Sequence, residues 1–472
     1  MPPALPASYP RVNQYIEQIV STLKDEGFMF PSVSAEASSD DSSLHITVDP
    51  GPRATIGSIS YEGLSRLPLA TAQGFTKMKL GEPFRMEAAN ATKQALLRSG
   101  LFSRVEIVAA DGSIDSPNES IIIRVVERPL ETLEVGAGAN SEFGMHLFGE
   151  AVDKSFFADG RSLAFRLDTY LDQLQFSPTN ADNLSQGFAS LRYLDPTWLG
   201  SDYSLTEEAR YQRQTLSTQE YDDDRFLVAS YVFRQFKHGV SLSAGHSLAL
   251  DELFNVNPGA IIGPLDNGFV RLSFLSSVIK IDRRDDPLLP HSGYTLTLEP
   301  KLSLNALGSE ANFASILAKA TGVVPLKPLG PRFSLGLGAS AGFSQPWGDT
   351  TVIPITQRFY LGGRTTVRGY QENSLGPEGS DGAVIGGDTL LLAKGQFQYR
   401  LLDSLSTHLF LDAGNVWLRH ESFNLGDTNE GVGGGFQYLS PIGPIGLDIG
   451  HGLQPMDGDP NVLVTFSVGS MF

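Results

Sequence analysis

The segment Arg358-Phe-Tyr-Leu-Gly-Gly-Arg-Thr-Thr-Val-Arg-Gly-Tyr370 carries the most chemistry in this chain. Arg364 and Arg368 are permanent cations whose guanidinium groups need acceptors wherever water is excluded. Gly362, Gly363 and Gly369 permit backbone angles that other residues resist. Such a loop suits a confined polar cavity better than a solvated surface. Little else points to catalysis. His238, His246, His291, His408, His420 and His451 lack metal-ligand spacing. No G-x-S-x-G, P-loop or HExxH motif occurs, so no enzyme, metal site or cofactor is expected. The run Asp222-Asp223-Asp224 could attract Ca²⁺ but has no EF-hand loop, and reads as a solvated external loop.

The rest of the chain must position that loop. Its 472 residues suffice for two or three domains, and a net charge of −18 argues against nucleic acid as a partner. No run of about 18 apolar residues exists, which excludes a transmembrane helix but not transmembrane strands. Forty-nine glycines and 10% aromatics suit a β-rich architecture with tight turns. Cysteine is absent, so there is no disulfide framework. Met1–Ser8 has neither a basic nor an apolar region, so it is no signal peptide; an exported protein needs one, and the chain is expected to be a mature or trimmed form.

Residues 11–24 set Val12, Tyr15, Ile16, Ile19, Val20 and Leu23 at helical spacing. Gly27 and Pro31 end that helix, and two strands are predicted at 32–37 and 44–48. The next module is complete: strand Thr55–Tyr61, helices Pro68–Lys77 and Arg85–Ser99, then strands Val105–Val108 and Ile121–Val126. Gly100 stands as the C′ residue of the second helix.

From Leu133 onward alternation replaces helical periodicity. Ser162–Tyr170 sets Leu163, Phe165 and Leu167 against Arg166 and Asp168. Val240–Leu248, Arg332–Gly342, Ala393–Leu401 and Asn461–Gly469 repeat the pattern. A soluble sandwich also has one polar face. Segments of about ten residues, continuing for some 340 residues without a helix, favour a large membrane barrel of about sixteen strands. Leu174–Gln186, Asp251–Asn267 and Gln371–Gly387 are expected as polar external loops.

Several segments carry a family resemblance. Gly51-Pro-Arg53, Gly81-Glu-Pro-Phe84 and Leu97-Arg-Ser-Gly-Leu-Phe-Ser-Arg-Val105 resemble a POTRA domain. Val367-Arg-Gly-Tyr370 resembles a VRG(F/Y) loop, and Asp282-Arg-Arg-Asp-Asp-Pro287 with Pro290-His-Ser-Gly293 a D-x-R-x-x-P…P-x-x-G segment. Phe410-Leu-Asp-Ala-Gly-Asn-Val-Trp417 and Ser440–Asp448 look like the family's later strands. Together the chain resembles the BamA/TamA outer-membrane insertase superfamily. The resemblance implies an α+β fold of POTRA modules, partial at 1–50 and complete at 51–130, followed by an all-β transmembrane barrel of sixteen antiparallel strands at 131–472. It places the POTRA modules in the periplasm and the barrel in the bacterial outer membrane. It implies that Val367, Arg368, Gly369 and Tyr370 fold into the lumen, where Arg368 meets Asp412. Family members often add a glutamate on the neighbouring strand; Gln396 stands there instead. A lateral seam between first and last strands would involve Gly136, Gly138, Phe466, Gly469 and Phe472. The two glycines either weaken that join or relieve crowding in the lumen. The implied activity is insertion of β-barrel clients by strand templating, without a cofactor. Implied partners are unfolded outer-membrane clients, lipid, and periplasmic or inner-membrane accessory proteins. The alternative is a two-partner-type polypeptide secretion pore.

Overall fold

A computed structural model describes residues 9–28, 31–37, 44–51, 54–110, 118–140, 144–157, 160–171, 184–200, 202–216, 221–286, 290–402, 404–418, 423–440, 443–454 and 462–468. Gly469 and Phe472 lie outside them. The chain forms two compact units, Met1–Thr132 with Asp153–Ser162, and Leu133–Val152 with Leu163–Phe472.

The first unit begins with α1 (Tyr9–Asp25) and the antiparallel pair β1 (Ser32–Ala37) and β2 (Leu44–Asp49). Next come β3 (Thr55–Glu62), α2 (Leu69–Gly74), α3 (Met86–Arg98), β4 (Phe102–Ala109) and β5 (Asn118–Glu127). β5 is central, parallel to β3 and antiparallel to β4. It alternates because one face covers the helices: Ile121, Ile123 and Val125 pack with Leu96, Leu101 and Phe102. Its last residue, Glu127, accepts N–H bonds from Ser65, Arg66 and Leu67 and the Ser65 hydroxyl. Burial raises its pKa, but the Ser65 and Leu67 N–H groups, the Ser65 hydroxyl and the Arg66 N–H together hold the carboxyl below its usual range.

The second unit is a closed antiparallel barrel of sixteen strands. They are β6 (Glu131–Asn140), β7 (Gly144–Asp153), β8 (Ser162–Leu171), β9 (Leu184–Asp195), β10 (Ser204–Leu216), β11 (Tyr221–Gln235), β12 (Val240–Phe254) and β13 (Gly268–Asp282). The circuit continues through β14 (Gly293–Ser303), β15 (Phe313–Pro325), β16 (Phe333–Pro346), β17 (Thr389–Leu402), β18 (Leu405–Trp417), β19 (Asn429–Ser440), β20 (Gly443–Gly452) and β21 (Leu463–Val468). Alternation sorts side chains as a membrane barrel requires. Phe165 and Leu167 are 46% and 51% exposed, while Asp168, the next residue along the strand, is 5% exposed. Inside, Arg166 bonds Asp168 and Arg210 bonds Glu208.

Three sequence expectations change. Asp222-Asp223-Asp224 is no loop: it sits within β11, where Asp224 pairs with Arg213 on one face and Asp223 is buried near Arg225 on the other. Asp251 belongs to β12, so the β12–β13 connection is 255–267. Gln371–Gly387 is not a solvated external loop, since Leu375, Val384 and Ile385 are buried. Apolar side chains within that polar-looking segment fold it inward.

Candidate functional site

The 347–388 connection between β16 and β17 has a root and a tip, each held by ionic contacts. At the root, Arg358 and Asp266 have side chains only 1% exposed. Arg358 Nη2 donates to Asp266 Oδ2 at 2.5 Å, Nε to Ile353 O at 2.8 Å and Nη1 to Ile385 O at 3.0 Å. Asp266 also accepts from the N–H groups of Ile262, Gly263 and Ile355. Beside it, Thr356 bonds Asp251, which is itself paired with Arg225, and Gln357 accepts from Lys301 Nζ at 2.9 Å.

The tip grips a different part of the wall. Arg368 Nε donates to Asp412 Oδ2 at 2.6 Å and Nη2 to Asp412 Oδ1 at 2.9 Å. This is the bidentate geometry that favours guanidinium over ammonium. Arg368 Nη1 donates to Gln396 Oε1 at 2.9 Å. The guanidinium carbon stands 3.7 Å from the Phe410 ring centroid, within cation–π range. Asp448 Oδ2 lies 3.9 Å from Nη1, and His408 Nε2 lies 2.9 Å from Asp448 Oδ1. Lys394 Nζ donates to Thr365 O at 2.8 Å. Arg364 lines the same small cavity as Arg368, Gln396, His408 and Asp448.

Close packing seats the tip. Val367 and Tyr370 are buried with Leu361, Leu375, Leu390, Leu392 and Val416. The Tyr370 hydroxyl donates to Glu430 O at 3.1 Å. Gly369 has φ +99°, which disfavours any side chain there. The facing wall is cleared by glycine: a Cβ on Gly431 would stand 1.8 Å from Arg368 O, and one on Gly452 2.6 Å from the Tyr370 ring. The loop therefore runs as a strut, with roots on β11–β14 and the β12–β13 connection, and a tip on β17–β20.

Val367, Arg368, Gly369, Tyr370, Asp412 and Gln396 thus converge at one place. Missed from sequence were the root pair Arg358–Asp266, the Phe410 ring, Asp448, and the glycine track. The run Gly431-Val-Gly-Gly-Gly435 inside a strand was a readable signal of close backbone approach. Asp266 carried none, since it gains meaning only once its connection folds over. Asp282–Asp286 and Pro290–Gly293 lie at the β13–β14 connection, where Arg284 Nη2 bonds Asp282 at 2.6 Å. The N–H of Ser292, then those of His291 and Asp286, hold the Asp285 carboxyl down at about 2.

Of the seam residues, Gly136 and Gly138 lie on β6 and Phe466 on β21. The described residues of β21 and β6 share two register pairs, Ser467↔Asn140 and Val468↔Ala139. β10 and β11, by contrast, pair continuously from Ser204↔Phe233 to Leu216↔Tyr221. A Cβ on Gly136 would stand 2.3 Å from the Phe148 ring, so this glycine relieves crowding.

A sixteen-stranded antiparallel barrel, braced from within by an arginine-tipped loop and preceded by a β-α-α-β-β module, defines the class of POTRA-bearing transmembrane β-barrels. Comparison with known proteins makes this specific. The Omp85 superfamily domain matches residues 153–472, and the POTRA family described as surface antigen variable number repeat matches 54–128. The chain belongs to the Omp85 superfamily. It is 22% identical to the outer membrane protein assembly factor BamA of Neisseria meningitidis over 94% of this chain and 59% of that protein. It is 25% identical to the sorting and assembly machinery component 50 homolog of Xenopus tropicalis, over 76% of this chain and 75% of that protein. The chain thus spans about three-fifths of the BamA relatives it matches. Among solved structures, BamA from Haemophilus ducreyi lacking POTRA domains 1–3 shares the fold with TM-score 0.73 at 20% identity, covering 98% of this chain and 94% of that one. CdiB from Escherichia coli does so with TM-score 0.62 at 13% identity, covering 98% and 84%.

Proposed function

We propose that this chain is a non-enzymatic assembly factor that folds β-barrel clients into the bacterial outer membrane. Its modules at 1–50 and 51–130 stand in the periplasm as POTRA domains, and 131–472 spans the bilayer. The observation that carries the reading is the β21–β6 junction, whose described residues share two register pairs. Unpaired strand edges in lipid cost several kcal/mol per backbone group. A join between first and last strands that opens exposes such edges, and an open edge templates an incoming strand by backbone pairing. Leu133 and Val135, at 78% and 79% exposure, mark how much of β6 the described neighbours leave uncovered. The strut holds β11–β20 as one piece while the junction works, with Arg368, Asp412 and Gln396 as its clamp. Client folding supplies the free energy, so no nucleotide is involved. The names of the BamA and component 50 relatives agree with this reading.

The test is reconstitution of the full chain in liposomes with an unfolded barrel client. Client folding faster than in empty liposomes supports assembly. Ion conductance without accelerated folding refutes it and favours a polypeptide secretion pore.

A further inference from the structure

Strand β10 turns an acid toward the membrane. Its neighbours Arg210 and Gln212 line a lumen cavity with Gln357 of the inward loop. Alternation therefore sends Glu207, Ala209 and Tyr211 outward. In register, Glu207 faces Ser230 on β11, and Ser230 faces His246 on β12. Ser230 Oγ donates to Glu207 Oε1 at 2.8 Å, and His246 Nε2 lies 2.8 Å from Ser273 Oγ on β13. These side chains form a polar track across four strands of the outer wall.

The track runs at mid-depth. Exposed Tyr203 and Tyr211 stand four residues to either side of Glu207, roughly 13 Å each way along the strand. Aromatic side chains of this kind mark the two interfaces of a membrane barrel. Hydrocarbon offers no hydrogen-bonding groups, and ionisable side chains within it are costly. Among the described residues, Ser230 alone hydrogen-bonds the Glu207 side chain.

A groove of about 1020 Å³ adjoins the track, lined on the outside by Ala244, Leu275, Ser277, Pro300, Ile316 and Phe343. Here the β13–β14 ladder skips Ser277 and Val278 opposite Pro300 and Glu299, because Pro300 has no N–H to give. Ala244 and Ser277 are small, and small side chains on a membrane-embedded surface let another backbone come close, while Leu275, Ile316 and Phe343 wall the groove.

We propose that the outer wall of β10–β13 is a membrane-embedded interface with a second copy of this chain. The track is self-complementary: it carries an acid, Glu207, toward one end and an imidazole, His246, toward the other. A twofold axis along the membrane normal near Ser230 brings Glu207 of each copy toward His246 of its partner, as an isologous contact requires. These are the fifth to eighth strands counted from β6, so both β21–β6 junctions stay in lipid. The proposal rests on the membrane-spanning reading of the barrel, not on its assembly activity.

The chain has no cysteine, so Ser230→Cys supplies a single thiol close to the axis. In liposomes of this 472-residue chain at high lipid excess, oxidation is expected to yield a disulfide dimer. Leu409→Cys, on outward and 66% exposed Leu409 of β18, is the control expected to stay monomeric. Adding Glu207→Leu and His246→Leu to Ser230→Cys should cut cross-linking at least tenfold and shift single-molecule subunit counts from two to one. These leucines face lipid, so the barrel should fold, as its heat-dependent gel shift will show. Cross-linking of Ser230→Cys no greater than the control, or unchanged by the leucines, overturns the proposal. A client-folding assay on the same vesicles keeps the two readings apart: a dimer without client folding sinks the assembly function and leaves the interface standing.

Discussion

Replacing Asp412 with asparagine tests the tip clamp most sharply. Asp412 is fully buried and takes two guanidinium bonds from Arg368, at 2.6 and 2.9 Å, and the Arg368 N–H at 3.3 Å. The amide keeps one acceptor, but its NH₂ group then points at a guanidinium. Besides that one amide oxygen, the arginine is left with Gln396 at 2.9 Å and Asp448 at 3.9 Å. Breaking a buried pair from one side costs about 3–5 kcal/mol. That corresponds to a shift in tip undocking of about two to four orders of magnitude. Hydrogen exchange of the 362–370 amides in lipid nanodiscs is the assay, and these amides should lose protection while those of β10–β12 keep theirs. Gln396→Glu in the same variant places a carboxylate on Arg368 Nη1 and should restore most of the protection. Unchanged protection in the Asp412→Asn variant, or no rescue by Gln396→Glu, would refute the view that charge holds the tip.

Other outcomes follow from the same geometry. Asp266→Ala strands a buried Arg358 and should cost about 3–5 kcal/mol in docking of the strut's root, read by exchange at 353–358, whereas Asp266→Leu with Arg358→Met should cost less. Gly431→Ala puts a methyl group where Arg368 O lies, so the tip should unseat and client folding fall at least tenfold while the barrel keeps its gel shift. Glu127 has its folded-state pKa depressed, so its contribution to module stability is full above the unfolded glutamate pKa of about 4.3 and is lost as pH falls through the lower folded value. Exchange at 65–67 should therefore rise on acidification below about pH 4, and Glu127→Gln should flatten that dependence.

Much of this molecule was legible before its coordinates. Period-two alternation marked β8, β12, β16 and β17 because each has one face in lipid and the other in a polar lumen. The Gly-rich arginine segment announced a buried loop because its residue types suit little else. Asp222–Asp224 misled because a run of acids looks solvated, yet β11 sends neighbouring carboxylates to opposite faces, each toward an arginine. Gln371–Gly387 misled because its polar composition hides Leu375, Val384 and Ile385, spaced too irregularly to show a period. The root pair Arg358–Asp266 joins residues 92 positions apart, and no local pattern encodes such a meeting. The outward Glu207 stood inside an alternating strand, but its face could be fixed only once Arg210 was seen in the lumen.

The central claim is that the β21–β6 junction must open for a client to enter. Ala139 and Val468 are register partners there, so the pair Ala139→Cys and Val468→Cys can be closed by oxidation in an otherwise cysteine-free chain. Client folding into liposomes should stop when this disulfide is formed and return on reduction, with each single cysteine variant unaffected. Folding at the same rate with the junction locked would contradict the account.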